Sequence, residues 1–326
     1  MGSSNLSDPQ TDGTILATAS YDQTIRVWDV SKTVHSGSIS HSEGQVNSMS
    51  LTSNARQLAV GSWQKIRVYD LGAGLPKDPI ATFDNLFKNV TSIGFEMHGR
   101  WMFAGGDDMF CRVFEMRGNQ LICQRIFDKS QSSITSIEIA TNQVDLFIAN
   151  ASGDVFRWDL RRDDYERLPV PVMGTQECIQ KLSVHPSGQK MAGMTNKGRL
   201  VHWDLKTQSL HDRPLECSAA LNGDPISFLN NYGLSCRYSP NGEHIALCGS
   251  DTEAVALHAD DFSRRTPLNF GSVWNWDCAF SCDSRHMFSA GGDFKLRIWD
   301  TTTWERVAEI DGHTKPVTAL CSNARY

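Results

Sequence analysis

Four residues have the side-chain types that a hydrolase would use. His313, Thr18 and Asp22 supply an imidazole, a hydroxyl and a carboxylate, and Trp28 adds an indole N–H. In a nucleophilic triad the acid orients the imidazole, which takes the hydroxyl proton. Two carboxylate pairs, Asp107–Asp108 and Asp163–Asp164, have the residue types for acid–base or metal chemistry. Neighbours along an extended chain point to opposite faces, so neither pair converges on one atom. Cys278 and Cys282, in CAFSC, are the one close pair among nine cysteines. A zinc site needs a second pair or nearby histidines, and His41, His98, His185 and His286 have no second ligand at useful spacing. There is no phosphate loop, GxSxG elbow, HExxH helix or kinase motif set. The residues argue against an enzyme, and they call for no metal and no cofactor.

The elements that must position these residues recur along the chain. TIRVWD (24–29), KIRVYD (65–70), FCRVFE (110–115), DVFRWD (154–159), RLVHWD (199–204) and KLRIWD (295–300) share one pattern, and EAVALH (253–258) fits by position without the aromatic. The aromatic column falls at 28, 69, 114, 158, 203, 257 and 299, spaced by 41 to 45 residues except for one step of 54. Each unit reads as an alternating apolar strand, a turn, a small-residue strand, a tight turn, the WD strand and a looser fourth strand. That period and ending mark a four-stranded propeller blade. The pattern resembles the WD-repeat family from about residue 14 onward. It implies an all-β, seven-bladed WD-repeat β-propeller over 14–326, after a polar tail of residues 1–13 expected to be disordered.

The ends of the chain show how such a ring closes. The first copy begins at TILATAS, already a second strand, and the last is followed by a spare first strand in GHTKPVTALC. The C-terminal strand is expected to pair into the N-terminal blade, which removes exposed strand edges. The resemblance also reassigns the apparent triad. In WD-repeat blades the aspartate holds the histidine, the hydroxyl links onward and the indole completes the chain. His313, Thr18, Asp22 and Trp28 then form a structural network. The tight-turn acid persists as Asp108, Asp251 and Asp293, whereas Trp63, Ser152 and Lys197 replace it. The long step between Trp203 and Leu257 implies a surface loop at about 205–232. Trp101 and Trp304 are expected inside strands, and Arg161–Arg162 are expected to neutralise Asp163–Asp164.

Composition is that of an ordinary globular chain, with 40% hydrophobic and 21% charged residues. A net charge of −6 argues against a nucleic-acid partner. No apolar run of membrane-spanning length occurs. A myristoylation signal requires Ser or Thr where Leu6 stands. Singly scattered cysteines suit a reducing, cytoplasmic setting.

The columns leading into the first strands carry the unusual residues. Gln45, Asn89, Tyr232 and Trp274 share one place, Trp276 shares the next but one with Asn47, and Trp63 stands in a tight turn on the same rim. Tryptophan supplies large rigid apolar area of the kind that dominates interface hot spots, and glutamine and asparagine can pair with backbone groups of a partner. The runs ILATASYDQTIRVWD, HSEGQVNS, KNVTSIGFEMHGRWMFAGGDD, QRIF and WNWDCAFSCDS resemble the WD-repeat subunits of the target-of-rapamycin (TOR) kinase complexes. The resemblance implies a non-catalytic scaffold. Such a ring is monomeric within a larger assembly, shared by both TOR complexes and bound to the kinase catalytic domain through an insertion in its C-terminal lobe. Gln45, Asn47, Trp274 and Trp276 map onto the kinase-facing surface, and cytoplasmic residence with recruitment to the lysosomal surface follows. Two alternatives stand beside it. Trp158-Asp159-x-Arg161 resembles the box by which substrate receptors engage a cullin ubiquitin ligase, and a central channel would suit a peptide or histone-tail reader. A heterotrimeric G-protein β subunit is disfavoured, because its N-terminal coiled coil has no counterpart.

Overall fold

The computed structural model describes residues 13–30, 34–41, 44–171, 176–205, 231–251, 253–260, 262, 266–269 and 274–324. Among these residues the regular structure is entirely β. Seven strands, Ser48–Leu51, Val90–Phe95, Ile134–Ile139, Ile179–Val184, Gly233–Tyr238, Asn275–Phe280 and Val317–Ser322, each lie against the next, and the last lies against the first. They line the hub of a closed seven-bladed propeller. Each begins an antiparallel meander of inner, second, WD and outer strand. In the fifth blade the described sheet has three strands, ending at Leu200–Asp204. The tail and the 206–230 stretch lie outside the described residues, and so does most of the expected long loop.

The ring closes where the chain ends meet. Val317–Ser322 pairs antiparallel with Ile15–Ser20, Leu16 opposite Ser322 and Ala19 opposite Ala319. Blade 1 is therefore built from both ends of the chain. Blades 2 and 3 also touch at their outer edges, where Thr82 and Gln120 form a parallel pair.

The hydrophobic core sits between blades. Seven clusters of buried residues form, one at each boundary. At the closing boundary Leu16, Trp28 and Leu320 of blade 1 meet Ala279, Phe288 and Ile298 of blade 7. At the next, Ile25 and Ile39 of blade 1 meet Val46, Leu58 and Tyr69 of blade 2. Each WD-strand aromatic packs toward the preceding blade. This explains how blade 6 tolerates Leu257: Tyr238 is fully buried in the same cluster and Phe262 packs against it. Burying a large apolar side chain contributes about 1.5–3 kcal/mol, so losing one ring is offset by its neighbours.

The second strands carry small residues because backbones approach closely near the hub. A Cβ on Gly106 would lie 1.9 Å from the Asn89 carbonyl oxygen. That contact fixes the start of blade 3, where one of the rim residues stands.

Candidate protein-interaction surface

Two sets of loops form one rim of the ring, here called the top. One set enters the inner strands and the other joins the second strands to the WD strands. Gln45 is exposed on this rim, and Asn47 and Asn89 are half-buried. Asn47 Nδ2 donates to Asn89 Oδ1 at 3.2 Å, and Asn89 Nδ2 donates to Asp107 Oδ2 at 3.2 Å. Trp63 forms a β-bridge to Asn89 and is 52% exposed. These residues make one cluster across blades 2 and 3. Two further pairs lie on blades 5 to 7. Gln180 Nε2 donates to the Tyr232 hydroxyl at 3.0 Å. Trp274 is 48% exposed, and its ring centroid lies 5.3 Å from that of half-buried Trp276. The Trp274 carbonyl accepts the Gly292 amide, which holds this loop to the tight turn.

The Trp276 column has an ordinary duty that Trp276 does not perform. Thr91 donates its hydroxyl to the Ile134 carbonyl at 2.6 Å, Thr135 to that of Ile179 at 2.5 Å, and Thr318 to that of Val46 at 3.1 Å. Each bond staples one inner strand to the next. Asn47 and Gln180 also reach the following blade, through Asn89 and Tyr232. Trp276 instead packs against Trp274 of its own blade, the rings tilted by 45°.

The structure adds rim residues that the sequence reading missed. Tyr21, Phe87, Met109 and Phe294 are exposed, Phe87 at 74%. With Trp63, Tyr232 and Trp274 they make seven of the eleven exposed large hydrophobics among the described residues, all on top-rim loops; Met97 is the one in an opposite-rim turn. Met109 and Phe294 stand at φ 70° and 73°, in a turn column where blades 4 and 5 use Gly153 and Gly198. Bulky residues rarely adopt this left-handed conformation. The paired glycines were the available signal.

The would-be triad is interior. His313 Nδ1 lies 2.9 Å from Asp22 Oδ2, its Nε2 lies 2.8 Å from Thr18 Oγ1, and Trp28 Nε1 donates to Thr18 Oγ1 at 3.0 Å. The Thr314 amide also donates to Asp22 at 3.0 Å. Burial opposes the Asp22 charge, but hydrogen bonds from Thr24, the Thr314 amide and His313 outweigh it and hold its pKa at about 2. Thr18 is completely buried, so no substrate reaches its hydroxyl.

The carboxylate pairs diverge. Asp107 accepts from Asn89, while Asp108 forms a buried ion pair with Arg112 at 2.6 Å. Asp163 is met by Arg125 at 3.5 Å and by the Trp158 indole at 3.0 Å. This corrects the expected neutralisation by Arg161–Arg162, whose amides instead cap Asp159. Trp304 also differs from expectation: it occupies a turn at φ 59°, between strands. Among the described residues no group of three or more His, Cys, Asp or Glu is arranged to hold a metal ion.

The model of the WD domain, G-beta repeat, matches residues 6–29, 32–70, 77–115 and 269–300. The chain is 34% identical to the target of rapamycin complex subunit LST8 of Bos taurus, over 96% of this chain and 95% of that protein. It is 33% identical to the LST8 homolog of Drosophila melanogaster, over 94% and 95% of the two chains. With the Saccharomyces cerevisiae target of rapamycin complex subunit LST8 the identity is 31%, over 95% and 98%. With such identity along nearly its whole length, this WD-repeat ring belongs to the LST8 family.

Proposed function

We propose that this chain is a non-catalytic scaffold subunit of TOR complexes whose top rim docks the catalytic domain of the TOR kinase. The carrying observation is the one-sided placement of exposed aromatics, centred on the Trp274–Trp276 pair. Relatives named as TOR complex subunits support the partner. A rigid ring suits the role. Packing at every blade boundary fixes the rim side chains before contact, so little conformational entropy is lost on docking. Tryptophans then bury large area at two rotatable bonds each, and Gln45 and Asn47 supply hydrogen bonds at the edge. The bound ring braces one lobe of the kinase and presents its remaining surface to the other subunits of both complexes. It acts as one copy per kinase, in the cytoplasm.

Capture of a co-expressed TOR kinase domain tests this. Trp274→Ala should weaken capture by about 30-fold, the equivalent of about 2 kcal/mol, with the circular dichroism of the ring unchanged. Undiminished capture by a folded variant contradicts the proposal.

A further inference from the structure

Two clefts occupy the same place in the repeat and differ in chemistry. Each lies between adjacent blades on the side away from the top rim, bounded by the turns after the inner strands and the ends of the WD strands. The cleft between blades 6 and 7 has a volume of 330 Å³ and is lined by His244, His258 and Trp304. Trp304 lies edge-on to His244 with ring centroids 5.1 Å apart, so blade 7 reaches back over blade 6. Phe262 also reaches back one boundary earlier, onto His202 of the blade 5 WD strand, at 5.4 Å. Both residues stand five after the WD-strand aromatic column and adopt positive φ.

Blade 4 has Asp163 at that position, also at positive φ, and its carboxylate turns to the Trp158 indole and Arg125. With a small acid in place of an aromatic ring, the blade 3–4 cleft has a similar volume, 360 Å³, but stands more open to solvent. Trp101, Val113 and Leu160 give it an apolar floor, and Arg100, Arg125 and Arg161 stand around it. The backbone amides of Arg100 and Arg161 are bonded, but their guanidiniums have no partner among the described residues. The one acid lining the cleft, Glu115, is occupied by Arg117 and Gln124, at 2.8 and 3.1 Å. A chain of net charge −6 thus gathers free cationic groups around an apolar floor of ligand-accommodating size.

We propose that the blade 3–4 cleft is a second docking site, separate from the top rim, for an acidic linear peptide. A large apolar side chain sits on Trp101 and Leu160, and flanking carboxylates meet Arg100 and Arg161. Guanidinium–carboxylate pairs supply charge-assisted, directional bonds, while the floor supplies burial. The inference does not depend on the kinase reading.

Fluorescence anisotropy with the full chain tests it. The probe is a labelled peptide of Asp and Glu around a central Leu-Phe pair, and the control replaces its acids with Lys. Saturable binding of the acidic probe alone is expected, weakening as salt rises. Arg100→Ala with Arg161→Ala should weaken it at least tenfold. Asp163→Trp, which installs the ring that narrows the mouth of the other cleft, should do the same while keeping both arginines. Trp274→Ala should leave binding unchanged. Absence of saturable binding, equal binding of the basic control, or undiminished binding by both folded cleft variants overturns the proposal.

Discussion

Blades 1 and 7 meet at the ring closure and use the same repeat columns differently. In blade 1 Thr318 staples its strand to blade 2, and His313, Asp22, Thr18 and Trp28 form a continuous interior chain. In blade 7 the staple column holds Trp276, and Asp293 is paired with Arg297. Of the interior chain, the bond from Trp299 to Ser289 Oγ, at 3.0 Å, is retained. Blade 7 keeps its place by another route. Asp277 Oδ2 accepts the Leu320 amide of blade 1 at 3.0 Å, and its Oδ1 accepts the Ser235 hydroxyl of blade 6 at 2.8 Å. One carboxylate therefore ties three blades and releases the neighbouring column for the surface. The same column carries an interblade staple in one blade and a half-buried tryptophan beside exposed Trp274 in the other.

The largest effect should come from removing the closure itself. Deleting residues 317–326 strips the inner strand from blade 1 and opens two blade boundaries. Loss of the cooperative thermal transition is expected, followed by differential scanning calorimetry; a retained transition would show that the ring does not depend on closure. Asp22→Ala should come next. It leaves the buried His313 imidazole and the Thr314 amide without their acceptor, which costs about 1–3 kcal/mol and lowers Tm by several degrees. Kinase capture at a temperature where the variant is folded should be unaffected, since the network faces the interior.

Acid should dissect the interior in two stages. Burial pushes His202 from 6.5 down to about 4. The unfolded chain therefore binds this proton first, and stability falls as pH drops from about 6.5 to 4. Asp22 has a folded pKa near 2 against an ordinary 3.8. Its contribution is intact above about 3.8 and is lost as pH falls toward 2. Urea titrations across pH should show both windows, with His202→Gln removing the first and Asp22→Ala shrinking the second, to which Asp283 and other hydrogen-bonded carboxylates held below their ordinary pKa also contribute.

The repeat was legible because the WD strand combines an aromatic, an acid and a fixed period in six of seven blades, and the aromatic packs at the boundary in each of those six. The closure was legible because the chain starts on a second strand and ends on a first. The surface was less so. Tyr21, Phe87, Met109 and Phe294 lie in turns, where side-chain type is not dictated by the core, and a propeller has many turns. The repeat pattern alone suggests a strand at Trp304; its left-handed backbone is announced by Gly74 in the same column of blade 2. Arg125 reaches Asp163 across a blade boundary, a contact that no local spacing encodes.

Trp276→Thr restores the hydroxyl that blades 1, 3 and 4 carry in this column, and so separates the surface role from the structural one most directly. Thermal melting and kinase-domain capture should be measured on the same preparation. An unchanged or slightly raised Tm is expected, because the regained staple offsets a half-buried ring and an aromatic contact worth about 0.5–1.5 kcal/mol, together with loss of capture. A Tm lowered by several degrees with capture intact would assign Trp276 to the core and contradict the account.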